Sequence, residues 1–201
     1  MKSVIAALVV TASVAFATGP TPIPSQALNA LTTIDIVPTK QQIDKAFGNE
    51  QDALDNLAAL ATNNDVDPEP NEISVRLRAI HALAKYCSAT PCATADTAHQ
   101  AVAAVIPATR DATTGYQVLV LRAAIETLGT MRVSTDVTTL VPLLEHQSRD
   151  IRAATARALR DLCNAQAITA LRTRYAAETT DQVKLAISEA LRILGQCSAN
   201  Q

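Results

Sequence analysis

The sequence predicts an all-α chain, a right-handed solenoid of about four helix pairs behind a short N-terminal capping helix. Two observations lead there. From Thr39 onward, apolar residues recur at i, i+3, i+4 and i+7, the spacing of one helix face, and short polar turns separate the runs. One phrase is also written four times: Val75-Arg76-x-x-Ala79-x-x-Ala82-Leu83, Val120-Leu121-x-x-Ala124-x-x-Thr127-Leu128, Ile151-Arg152-x-x-Thr155-x-x-Ala158-Leu159 and Val183-Lys184-x-x-Ile187-x-x-Ala190-Leu191.

The elements follow in chain order. Residues 1–17 carry Lys2, an apolar run and small residues at Ala15 and Ala17, the pattern of a signal peptide cleaved near Ala17. Its apolar stretch of 14 residues, Val4 to Ala17, falls short of the ~20 a membrane span needs. No membrane insertion is expected, and the chain is expected in the periplasm or outside the cell. Residues 18–38 hold four prolines and read as an extended lead-in. The repeat domain is placed at residues 39–197, opening with a capping helix near 39–47.

Each phrase is preceded by a second apolar-periodic segment: Ala53/Leu54/Leu57/Leu60, Ala101/Val102/Val105, Val137/Leu140/Val141/Leu144 and Ile168/Leu171/Tyr175. The unit is therefore two helices. One pair cannot hide its apolar stripe alone, whereas stacked pairs can. Small residues at 79, 82, 124, 158 and 190 let the second helices approach closely, and Ala158 is expected in the layer between the third and fourth copies. Thr39, Asn49, Ser134 and Thr180 stand where a side chain would cap a helix, and Asp150 and Asp181 lie near helix N-termini. Two connections are longer than the repeat requires, residues 61–72 and 106–116.

The phrase resembles the HEAT repeat, in particular its shorter bacterial HEAT-like variety, over about residues 49–195. The likeness rests on the hydrophobic-Arg-x-x-Ala-x-x-Ala-Leu second helix, the acidic residue just before it (Asp150, Asp181) and the "LVPLL" of residues 140–144 in a first helix. It implies that Arg76, Arg152 and Lys184 form a ladder with acidic residues of the turns, broken at Leu121. It also implies that second helices line the inner side of a superhelix. Arg78, His81, Lys85, Glu126, Arg157, Asp161 and Glu189 would then face inward, a surface of mixed charge suited to another protein or peptide. Some HEAT-like proteins are bilin-attaching lyases, which makes an enzyme the competing reading.

The four cysteines allow three pairings. The repeat register puts Cys87, Cys163 and Cys197 at the ends of second helices. Adjacent helices then favour Cys163 with Cys197, which leaves Cys87 to Cys92 in the next turn. A single C-x4-C with His81, His99 and His146 scattered is no zinc pattern, so no metal is expected, and His99 and His146 are placed at the surface or an edge. Asp65, Asp67 and Glu69 alternate in the manner of calcium ligands, but an EF-hand needs Gly at 70 and Glu at 76, where Pro70 and Arg76 stand; a solvated turn is expected.

Without Lys2, 16 Lys plus Arg face 19 Asp plus Glu, a net charge of about −3, which gives nucleic acid no basic patch to bind. Aromatic residues make up 2%, too few for a stacking platform. The chain carries none of the G-x-S-x-G, H-E-x-x-H or phosphate-loop motifs. The expectation is a non-enzymatic, cofactor-free exported scaffold.

Overall fold

The structure is a computed structural model that describes residues 23–32, 37–63, 69–113 and 115–199. Ten helices lie within them: α1 Ser25–Thr32, α2 Lys40–Phe47, α3 Glu50–Thr62, α4 Pro70–Leu83, α5 Thr97–Thr109, α6 Gly115–Met131, α7 Val137–Leu140, α8 Arg149–Leu162, α9 Ala167–Ala177 and α10 Asp181–Ala199. Short 3-10 turns occupy Ala84–Tyr86, Ser134–Asp136 and Val141–Glu145. Among the described residues there is no strand.

The helices form an α-solenoid of pairs: α3–α4, α5–α6, α7 and its 3-10 extension with α8, and α9–α10. The second helices α4, α6, α8 and α10 stack in order as one layer. In the other layer α3 packs on α5, and the 3-10 turn Val141–Glu145 packs on α9. Val75, Val120, Ile151 and Val183 take equivalent places, at 3%, 0%, 0% and 0% exposure, so the phrase read in the sequence is the packing register. Each of these side chains contributes ~1.5–3 kcal/mol on leaving water.

The N-terminal cap is larger than the sequence indicated. The expected extended lead-in contains α1, whose Ala27 and Leu31 are buried and which packs on α2 and α4. Pro24 stands just ahead of this helix and its carbonyl accepts from the amides of Ala27 and Leu28, the place where proline helps a helix begin. Residues 1–17 and the rest of the lead-in up to residue 22 lie outside the described residues.

In α2, Thr39 and Gln42 form a capping box: the Gln42 amide donates to Thr39 Oγ1 at 3.3 Å and the Thr39 amide to Gln42 Oε1 at 2.8 Å. Asn49 Oδ1 accepts from the Asp52 amide at 2.9 Å and so starts α3. Lys40 lies 3.0 Å from both Asp44 and Glu50 and 4.8 Å above the Tyr86 ring, while Tyr86 donates to Asp44 at 2.7 Å. These contacts fasten the cap to the end of the first repeat.

Ser134 and Thr180 act differently from the caps expected of them. Ser134 lies inside a 3-10 turn, and Thr180 serves through its carbonyl, which accepts from Val183 and Lys184. The connection read at 106–116 is shorter than expected, because α5 runs through Pro107 to Thr109. Proline inside a helix has no N–H for the carbonyl four residues back. Pro142 does the same to the third repeat, whose first helix is reduced to one α turn and a 3-10 segment. Asp65 and Asp67 lie outside the described residues, whereas Glu69 donates its amide to Glu72 at 2.9 Å in the start of α4.

Candidate functional site: the second-helix face

The layer of second helices presents one register position four times. His81, Glu126, Arg157 and Glu189 each stand six residues after the first residue of the phrase, one on each of α4, α6, α8 and α10. None is fully buried: His81 and Glu189 are exposed, Glu126 and Arg157 half-buried. Their charges alternate along the layer, with imidazole, carboxylate, guanidinium and carboxylate in turn. Lys85 and Asp161 share a second position, one helical turn further on, in copies one and three. Arg78 stands apart, at the place where the other copies bury Ala123, Ala154 and Ala186.

Cross-helix contacts join parts of this set. The Thr127 hydroxyl has one proton and donates it to the Ala123 carbonyl at 2.7 Å. His81 Nδ1, 3.2 Å from that oxygen, must therefore be the donor. Packing around the ring holds the His81 pKa below its ordinary value; Glu126 opposes the shift and Arg122 adds to it. Glu126 is taken by Arg122 one turn earlier, at 2.7 Å, and this bond raises the pKa of Arg122. Arg160 lies 2.8 Å from Asp161 and 3.1 Å from Glu189, which brings two of the expected residues together across α8 and α10.

The predicted ladder of arginines and turn acids is realised at Arg152. Arg152, 9% exposed, donates from Nε and Nη2 to the two oxygens of Glu178 at 2.7 and 2.9 Å. Its Nη1 donates to the carbonyls of His146 and Gln147, both at 2.9 Å. Glu178, 2% exposed, also accepts from Arg174 and from the amides of Thr179 and Thr180. The Arg152 fork and these donors hold its carboxyl far below the usual range. Asp150, just ahead of the phrase, lies exposed 4.0 Å from Arg149, and Arg76 donates to the Ala61 carbonyl at 3.1 Å.

His99 is the clearest departure. The sequence places it at the surface or an edge, yet it is 6% exposed, with Nε2 at 3.0 Å from both oxygens of the equally buried Asp136 and Nδ1 at 3.4 Å from the Thr94 carbonyl. Burial raises the Asp136 pKa, and His99 opposes it. The signal was present, because His99 falls on the stripe of Val102 and Ile106 at helical spacing. His146 accepts the Ser148 amide at Nδ1, so its Nε2 carries the proton; that atom is buried without a partner.

Both expected disulfides are present, Cys87–Cys92 with Cα atoms 5.0 Å apart and Cys163–Cys197 with 5.8 Å. Cys163 ends α8 in the left-handed conformation, φ 54°, before the chain enters α9. Asp96 lies 3.3 Å from Cys92 Sγ and organises the turn by accepting from the amides of Ser88 and Ala93 at 2.9 and 3.2 Å. With both sulfurs in a disulfide, this group offers no thiolate to a metal.

Away from the second-helix face, a cleft of about 630 Å³ opens between the C-terminal part of α5 and the α7 segment, lined among others by Pro107, Arg110, Thr139 and Pro142. Among the described residues no helix is long and apolar enough to cross a membrane. No curated protein and no solved structure matches the chain. The family model of HEAT repeats matches residues 106–192, which span the second, third and fourth second helices in the register described above. With paired helices and the phrase in equivalent places, this is a HEAT-repeat domain-containing protein.

Proposed function

We propose that the protein is an exported, non-enzymatic scaffold that offers its second-helix face to another protein or peptide. HEAT repeats as a class mediate protein–protein interaction, and the observation that carries the reading is the row His81, Glu126, Arg157 and Glu189. Four equivalent positions, two exposed and two half-buried, make a charged strip across the stacked helices. Export is supported by the signal-peptide pattern of residues 1–17 and by two disulfides, which persist in oxidising compartments. The competing bilin-lyase-like reading needs reactive side chains in a deep pocket, and all four cysteines here are engaged as disulfides.

Position-specific photocrosslinking in the native host tests the reading. A crosslinkable residue in place of Glu189 is expected to give a discrete protein adduct, and one in place of exposed Ala104 on α5 none. Equal adducts from both positions, or none from Glu189, would refute the assignment of the face. Export is checked on the same material, where the mature chain is expected to begin at Thr18.

A further inference from the structure

The charged strip is unevenly satisfied. Glu126 is bound by Arg122 and Glu189 by Arg160, so both carboxylates are already matched within the protein. Arg157, between them on α8, is half-buried and makes no hydrogen bond or ion pair with any described residue. A guanidinium carries five donors in a planar fork, and one that has lost part of its water shell without gaining a partner is short of acceptors. Its nearest counterparts in the row cannot supply them.

Two apolar side chains stand on the flanking helices. Leu119 on α6 is 49% exposed and lies seven residues before Glu126; Leu185 on α10 is 70% exposed and lies four residues before Glu189. Both therefore share the face of the charged row. The helices they sit on bracket α8, so the leucines lie to either side of Arg157, roughly 16–20 Å apart across the layer and displaced from its level by about 10 and 6 Å toward the helix N-termini. Residues at such open positions are ordinarily polar, as Gln182 and Ser188 are here. An unmatched cation between two exposed leucines is complementary to an anion between two apolar groups.

We propose that this face takes an extended peptide segment whose Asp or Glu carboxylate pairs in bidentate fashion with Arg157. Apolar side chains three or four residues to either side, at about 3.3 Å per residue, cover Leu119 and Leu185. The proposal rests on the scaffold reading and gives the partner a chemistry: acidic at the centre and apolar at the flanks. Arg157 supplies the direction of preference, since the carboxylates nearest it in register, Glu126, Asp161 and Glu189, are already held by Arg122 and Arg160.

A random peptide library displayed on phage, selected on the purified disulfide-bonded protein, decides it. Enriched peptides are expected to carry Asp or Glu flanked by Leu, Ile, Val or Met. Arg157→Ala, with an unchanged helical circular-dichroism spectrum, is expected to weaken their binding at least about tenfold, as loss of a charge-assisted bond does. Arg157→Lys should recover part of that loss, because it restores the charge without the fork, and Leu185→Ser should weaken the same peptides. Enrichment of basic or uncharged peptides, or of acidic ones that bind Arg157→Ala equally well, overturns the proposal. If peptides of another chemistry are enriched and lost with Leu185→Ser, the scaffold reading stands while this one falls. A selection that yields no peptide at all counts against both.

Discussion

Where the second repeat meets the third, α6 and α8 touch at Gly129 and Ala158; where the third meets the fourth, Arg152 of α8 reaches into the turn before α10 and grips Glu178. The first junction is a close approach of two backbones: a Cβ added to Gly129 would lie 2.9 Å from Ala158 Cα and 3.1 Å from its Cβ. The second is a polar lock that also reaches the first-helix layer, through the carbonyls of His146 and Gln147 and through Arg174, which lies 2.7 Å from Glu145. Among the described residues, the first-helix side of junction two–three has no such lock. It is held at one end by His99 and Asp136, and at the other it parts into the cleft bounded by Pro107 and Pro142. Small residues close a layer only where two helices can run together, whereas a branched guanidinium can tie three segments at once.

The largest test of this contrast is Glu178→Ala. It leaves Arg152 buried with its main partner gone, and a loss of ~3–5 kcal/mol is expected in denaturant unfolding. The same carboxylate predicts a pH dependence. Its folded pKa lies well below the ordinary 4.5, so its stabilising effect is complete above about pH 4.5 and is lost as the pH falls further. Glu178→Gln should flatten the acid limb of the stability curve; an acid limb as steep as the parent's would remove Glu178 from the account.

Gly129→Ala comes next. The group in its way is helix backbone, which cannot swing aside, so ~1–3 kcal/mol of destabilisation is expected where alanine in a helix would otherwise help by up to ~1. An unchanged or higher melting temperature would mean the α6–α8 contact is looser than described. The smallest effect is a gain. Thr155 is fully buried with its hydroxyl unpartnered, at the place where the other copies put Ala79, Ala124 and Ile187. Thr155→Val should stabilise by ~1 kcal/mol, and a loss instead would show that the hydroxyl has an acceptor.

The parts of this molecule legible in its sequence are those set by period and by repetition. The phrase fixed the register of α4, α6, α8 and α10, and through it the partners of Cys163 and Cys87. What escaped were contacts between positions that no repeat relates. Glu178 lies in a turn between α9 and α10, 26 residues from Arg152, and nothing local marks it as preferable to the adjacent Asp150. Ala158 was assigned to the layer between the third and fourth copies, yet it faces Gly129 of the second, because the small-residue pattern does not say which neighbour a helix side meets. Gly129, near the end of α6, has no side chain to mark it as a contact. The helix α1 was hidden behind prolines that precede it without interrupting it. Of the candidate binding residues, the row of four was visible as one position repeated, whereas the satisfaction of Glu126 and Glu189 by Arg122 and Arg160 needed coordinates.

The parted first-helix layer would also give the solenoid a preferred direction of bending. With α6 and α8 in contact along Gly129 and Ala158, the repeats on either side can rotate about that line, opening or narrowing the space between Pro107 and Pro142 while every helical hydrogen bond stays intact. Such a rotation would change the spacing between Glu126 and Arg157 on the opposite layer. The two prolines would thus tune, from the far side of the molecule, how widely its charged strip is spread.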